Sequence, residues 1–476
     1  MCGFVGIIGV GHAAASLFLG LQAVQHRGQD AAGIGVLHQG VVAVHKDVGL
    51  VSAAIPSDVI ASSPGTAGIG HVRYPTIGGG GRRDAQPFMS QRPSMALAHN
   101  GNLTNIPEIE RHLASRGIRM ASRCDAEPIL LVLADELMQI RVTGHTAADV
   151  AEAVRRTMAV VKGAYSVVAV LEVDGRETLL AFRDPHGIRP AVYGRRADGA
   201  WMAASESVSL DVLDFEVVGH VPSGHALLLR PGEPVVDISV QPVGQHHCIF
   251  EDIYFARPDS TMDGGRIYGR RWRLGEQLAE EWRARGLSAD VVVAIPDTSR
   301  PAAMGMAARL GLPCHEGFIK NRYSGRTFIM PDQASREATL RIKLNPIEEV
   351  FRDQRVVLVD DSIVRGTTMR RIVQLVRRMQ PRELHVAIFS PAVRNPCFYG
   401  IDMPSVNELV AASIPPAEIH ETLARRLGVD SLTFLSLDGL GQVAGNAICA
   451  ACFTGQYPVP LSEEDRGFIL QDRRGE

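Results

Sequence analysis

The chain opens MCGFVGIIGVGHAAAS (residues 1–16), and the reading of this stretch decides the fold of the first half. Gly9, Gly11 and Ala14 form a G-x-G-x-x-A pattern after an apolar run, with Asp30 at a suitable distance beyond. Taken alone, that pattern opens a dinucleotide-binding βαβ unit. The other reading rests on Cys2, which becomes the first residue once Met1 is removed. A thiol beside a free α-amino group is a nucleophile that carries its own base.

Context favours the thiol. In a dinucleotide fold the acidic residue closes the second strand, where it reaches a ribose. Asp30 lies instead in QHRGQDAAG (25–33), between glycines and ahead of the next apolar run. Glycines at a strand end commonly serve turns. An α-amino group titrates at roughly 7.7–8.0 and a thiol at about 8.5, so proton transfer between such groups is nearly matched at neutral pH.

Bulk properties agree with an enzyme. The 476 residues are enough for two domains with cores of their own. Lys and Arg number 49 against 52 acidic residues, and the net charge of −3 gives no reason to expect a nucleic-acid partner. No apolar run approaches a membrane span, and the N-terminus has no basic region followed by an apolar one. Seven scattered cysteines fit a reducing cytoplasm better than a disulfide framework.

Along the chain, residues 2–240 read as a strand-rich domain, with short alternating runs such as AGIGVLH and SMALAHN between polar turns. Helical spacing marks Ser16–Gln25 and Ala126–Leu137. Residues 250–476 change rhythm: VVVAIPD, RVVLVDD and LHVAIFS are continuous apolar runs of the kind that form a parallel sheet. From about Pro404 the chain reads as mainly helical, ending in a frayed tail, SEEDRGFILQDRRGE.

Five motifs occur in order: MCGFVGI, QHRGQDAAG, GHVRYPT, AQPF and AHNGNL. Together they resemble the glutaminase domain of the N-terminal-nucleophile (class II) glutamine amidotransferases. The resemblance implies an αββα sandwich in which Cys2 attacks the glutamine amide, with Asn100 and the Gly101 N–H as oxyanion hole. It also implies that Arg73 holds the substrate α-carboxylate, Asp125 its α-ammonium, and that Arg27 belongs to the same glutamine site and buttresses the nucleophile. The segment SRCDAE (122–127) departs from the small polar run usual before this carboxylate; its Cys124 reads as a packed thiol.

In the second half, RVVLVDDSIVRGTTM (355–369) is a strand ending in two carboxylates, then a small polar loop entering a helix. Backbone N–H groups at such a junction bind phosphate, and paired carboxylates suit ribose hydroxyls or Mg²⁺. The stretch resembles the phosphoribosyl-diphosphate (PRPP) loop of type I phosphoribosyltransferases, implying PRPP contacts from Asp360, Asp361, Ser362, Ile363, Val364, Arg365, Gly366, Thr367 and Thr368. The fold implied is a parallel α/β domain with a helical C-terminal region. VVVAIPDTSRPAA supplies a second junction, and the resemblance implies that Thr298 joins Asp360 and Asp361 as Mg²⁺ ligands. GFIKNRYSGRTFIMP resembles the cationic loop that closes over substrate, with Lys320, Arg322 and Arg326 facing phosphate.

Joined in this order, the halves resemble the amidophosphoribosyltransferase family. That implies conversion of glutamine, PRPP and water into 5-phosphoribosylamine, glutamate and pyrophosphate, the first committed step of purine synthesis. It further implies ammonia passing between the sites, feedback inhibition by purine nucleotides, and a homotetramer. Cys248, Cys397, Cys449 and Cys452 lie in segments matching the subgroup whose four thiolates hold a [4Fe–4S] cluster, and four thiolates suit zinc as well. Cys314 has no such context and reads as structural. That subgroup often carries a propeptide; with the chain beginning at Met-Cys, removal of Met1 alone would expose the nucleophile. Two competing readings are a class II glutaminase with another acceptor, and an inactive homologue that binds nucleotides or senses redox state.

Overall fold

The strand Gly3–Ile8, buried at all six residues, lies in the middle of a sheet rather than at the start of a βαβ unit. The computed structural model describes residues 2–75, 81–321 and 344–472. Among these, the first sheet has seven strands, in the order Glu216–His220, Val192–Arg195, Trp201–Ala204, Gly3–Ile8, Ala67–Arg73, Ala31–His38 and Val41–Val48. Both neighbours of Gly3–Ile8 run antiparallel to it. Antiparallel pairing leaves no crossover for a dinucleotide fold. Gly9, at φ +84, simply turns the strand toward the helix Ala13–Ala23.

A six-stranded antiparallel sheet faces the first one, with Arg176–Arg183 and Gly163–Val173 at its centre and Ser94–Leu103 paired to the latter. Apolar residues from both inner faces, among them Phe4, Ile69, Ala98, Val168 and Leu179, form the layer between the sheets. Helix Ala13–Ala23 packs on the outer face of the first sheet. Helices Ile106–Ser115, Ala126–Ile140 and Ala147–Val160 cover the second. The result is αββα. The two sequence-predicted helices are present as Ala13–Ala23 and Ala126–Ile140.

The second half holds a parallel sheet, with described strands in the order Cys314–His315, Val291–Ala294, Arg355–Asp360, Glu383–Ile388 and Ser431–Phe434. Helices Ile267–Ala284 and Arg300–Leu310 pack on one face, and Thr367–Arg377 with Ile419–Leu427 on the other. The region after Pro404 is mainly helical, as its sequence reads, although Ser431–Phe434 within it completes the sheet; four residues between helices carry too short a pattern to be seen. One expectation is corrected: the tail is not frayed through its length. Glu463–Asp472 is a helix whose Ile469 is fully buried, and Phe468 packs against the cores of both halves. Among the described residues, no helix is long and apolar enough to cross a membrane.

The halves are fastened by polar contacts as well. Asn102 Nδ2 donates to the Phe398 carbonyl at 2.9 Å, and Arg189 Nε to the Tyr399 carbonyl at 2.7 Å. Gly400 comes so close that a Cβ there would lie 2.8 Å from the Gly101 oxygen.

Candidate active site

At the head of its central strand, Cys2 is almost buried, and its thiol faces the Tyr74 carbonyl at 3.6 Å. Arg27, in the short helical turn Gln25–Arg27, donates from Nε to the Cys2 carbonyl at 2.9 Å. Its remaining N–H groups go to Glu206 and, through two contacts of 2.8 Å, to both oxygens of Glu251. Burial opposes the charge, but the two carboxylates outweigh it and hold Arg27 firmly protonated. So arranged, the guanidinium fixes the backbone of Cys2.

Asn100 and Gly101 sit on Ser94–Leu103, paired with Ser166 and Tyr165. Position 101 requires glycine: φ is +152, and a Cβ would lie 1.9 Å from the Ala164 oxygen. Asn100 Nδ2 is buried with no hydrogen-bond partner among the described residues. A buried amide donor left unpaired is costly unless a ligand completes it, which is the condition of an oxyanion donor before substrate arrives.

Asp125 sits at the head of helix Ala126–Ile140 and accepts from the Leu103 N–H at 3.1 Å, so the carboxylate is tied to the oxyanion strand. Burial pushes its pKa up, but His99, 3.3 Å away, and Arg73 outweigh this and hold it below the usual range. Arg73, buried at the end of Ala67–Arg73, donates from Nη1 to Cys124 Sγ at 2.8 Å. Cys124 is packed in the hydrophobic core, as its sequence context suggests, and also touches Arg73. No pattern in the linear sequence pairs positions 73 and 124.

At the other end, all residues from Asp360 to Thr368 line a cavity of about 490 Å³, together with Thr298 and Lys320. Strand Arg355–Asp360 delivers the carboxylates, and Gly366, at φ +74, turns the loop into helix Thr367–Arg377. Burial, then the neighbouring Asp361, pushes Asp360 well above the usual carboxylate range, and burial raises Asp361 to about 6. Two crowded carboxylates of this kind suit a divalent cation. Lys320 Nζ lies 2.8 Å from Asp297 Oδ2. Arg322 and Arg326 lie outside the described residues.

A second cavity, of about 640 Å³, adjoins the first and extends toward the residues around Cys2. Arg27, Gln29 and Tyr74 border it on one side, and Asp297, Thr298 and Lys320 on the other. The segment after Cys248 contributes Tyr254 and Phe255, and Arg271 closes the wall, with burial lowering its pKa to about 10. Sequence reasoning missed Glu206, Glu251, Arg271 and Asp402, whose Oδ2 accepts from the Tyr74 hydroxyl at 2.8 Å at the cavity wall, because an isolated charge in sequence reads as solvated surface.

The four cysteines occupy one buried region. Cys248 pairs with Cys449 in a short parallel ladder, and the Cys452 carbonyl accepts from the Arg394 and Asn395 N–H groups just ahead of Cys397. Burial pushes Cys248 and Cys452 far up and Cys449 up to about 12. Among the described residues, no three His, Cys, Asp or Glu side chains are grouped so as to hold a single ion. Cys314 is exposed at the sheet edge rather than packed.

Known proteins agree with this division. Residues 76–212 match the family described as a glutamine amidotransferase domain, and 270–395 the phosphoribosyl transferase domain. An amidophosphoribosyltransferase of Methanocaldococcus jannaschii is 40% identical, covering 98% of this chain and 99% of its own. One from Pseudomonas aeruginosa is 42% identical, over 96% and 93%. The solved Bacillus subtilis glutamine PRPP amidotransferase, complexed with ADP and GMP, superposes with a TM-score of 0.86 at 37% identity, covering 97% of this chain and 98% of that one. Identity at this level, running through both halves in one order and on one fold, places the chain in the amidophosphoribosyltransferase family, the glutamine-dependent pentosyltransferases that begin purine biosynthesis.

Proposed function

We propose that Cys2, freed by removal of Met1, attacks the glutamine amide, its proton passing through the α-amino group to the leaving ammonia. Water then releases glutamate from the γ-glutamyl thioester. Asn100 Nδ2 and the Gly101 N–H take the oxyanion, while Arg73 and Asp125 hold the α-carboxylate and α-ammonium. The ammonia displaces pyrophosphate from C1 of PRPP held by residues 360–368, with Lys320 at the phosphate end. The 640 Å³ cavity carries this reading, because Arg27 and Tyr74, which touch Cys2, border it together with Thr298 and Lys320 of the phosphate end.

Mg²⁺ would be held by Asp360, Asp361 and Thr298, and would neutralise the departing pyrophosphate. The crowded carboxylate pair supports that assignment. For the four cysteines we favour a [4Fe–4S] cluster. Four cysteines buried in one region support a group held by four thiolates. Inhibition by purine nucleotides, a homotetramer and a cytoplasmic setting complete the reading.

Glutamate release by anaerobically purified protein, with and without PRPP and Mg²⁺, tests it. Strong stimulation by PRPP is expected. Glutaminase activity indifferent to PRPP would point to another acceptor, and no release after verified removal of Met1 would refute the Cys2 assignment.

A further inference from the structure

Glutamine carries an α-carboxylate and an α-ammonium, so its site must keep a cation and an anion near each other without letting them neutralise one another. Arg73 and Asp125, both buried, are those groups in the reading above, and this inference rests on it. In a buried site a guanidinium and a carboxylate attract strongly. Direct closure would present substrate with an ion pair to break.

Cys124, itself fully buried, touches both Arg73 and Asp125. Its sulfur accepts from Arg73 Nη1 at 2.8 Å and faces Asp125 Oδ1 at 3.9 Å, within reach of a thiol donor. Gln86 Nε2 approaches the same sulfur at 3.7 Å, and the Cys124 N–H is fixed by Ser122 Oγ at 3.2 Å. Burial pushes the thiol up to about 12, so it stays neutral and can accept from the cation while donating toward the anion.

We propose that Cys124 is a positioning residue for glutamine recognition: it holds the Arg73 guanidinium on its sulfur and so sets where that cation stands beside Asp125.

Cys124→Ala and Cys124→Ser test this in the full-length holoenzyme, with Arg73→Ala as reference. Glutamine-dependent synthesis gives KM and kcat; ammonia-dependent synthesis, which bypasses the glutaminase site, reports folding and the acceptor site. Cys124→Ala is expected to raise the KM for glutamine about tenfold, the loss of one hydrogen bond to a charged group. Its kcat should stay within about twofold and its ammonia-dependent rate should match the parent, since Cys124 touches neither the reacting amide nor the acceptor site. Cys124→Ser, whose oxygen can also accept and donate, should restore most of the KM. A parental KM in Cys124→Ala, a fall in kcat alone, or a Ser variant no better than Ala would overturn the proposal. If Arg73→Ala raises KM and Cys124→Ala does not, the proposal alone fails. If Arg73→Ala leaves KM unchanged, the underlying assignment fails and the proposal with it.

Discussion

Replacing Glu251 by Ala should separate the two halves both energetically and functionally. Its carboxylate receives two contacts of 2.8 Å from Arg27 and one of 2.9 Å from Arg189, with side-chain exposure of 2% against 0% for both arginines. Removing one partner of a buried ion pair costs about 3–5 kcal/mol, because the stranded charges remain desolvated. The lower end applies here. Arg27 keeps Glu206 and the Cys2 carbonyl, and Arg189 keeps the Tyr399 carbonyl. A loss of about 3 kcal/mol, at a urea dependence of about 3 kcal/mol per molar, lowers the unfolding midpoint by about 1 M. Tryptophan fluorescence and circular dichroism should be followed together, since two domains need not unfold as one. Glu251→Gln, which keeps the shape and one accepting oxygen, should fall between parent and Ala. PRPP stimulation of the glutaminase should weaken in the same order, because Arg27 fixes the Cys2 backbone through this contact. A midpoint for Glu251→Ala within about 0.2 M of the parent, with normal stimulation, would refute the argument that the buried carboxylate fastens the halves.

Two further outcomes follow from single side chains. Asn100→Ala should lower glutamine-dependent kcat by about a hundred- to a thousandfold while leaving ammonia-dependent synthesis intact, and an equal loss in both would remove Asn100 from the oxyanion hole. His420, stacked on Phe434 and accepting from its N–H at 3.4 Å, has its pKa lowered from 6.5 to about 4 by burial and then by Arg285. The unfolded chain therefore binds this proton first, and stability should fall as pH drops from 6.5 toward 4. His420→Gln should show a smaller fall between pH 7.5 and 5 in urea midpoints; an identical fall would exclude His420 as a contributor.

Local chemistry made the catalytic ends legible in the sequence. Cys2 beside an α-amino group, Asn100-Gly101 in a glycine-bearing strand, and Asp360-Asp361 ahead of a small polar loop each carry their meaning within a few residues. The parallel sheet could be read because its central strands are continuous apolar runs, whereas Ser431–Phe434 is too short to announce itself. The G-x-G-x-x-A pattern shows the limit of local reading. Its glycines turn a strand in either fold, and only the antiparallel partners of Gly3–Ile8 distinguish the two.

What the sequence determined by itself was the set of candidate reacting groups and the two-part architecture, because both are written in contiguous residues and short periods. Tertiary structure alone decided which charges face one another. Arg27 meets Glu251 across 224 positions, Asn102 meets the Phe398 carbonyl across 296, and Arg73 meets Cys124 across 51. A buried cation is stable only beside the partner that replaces its water, and the fold chooses that partner from anywhere along the chain.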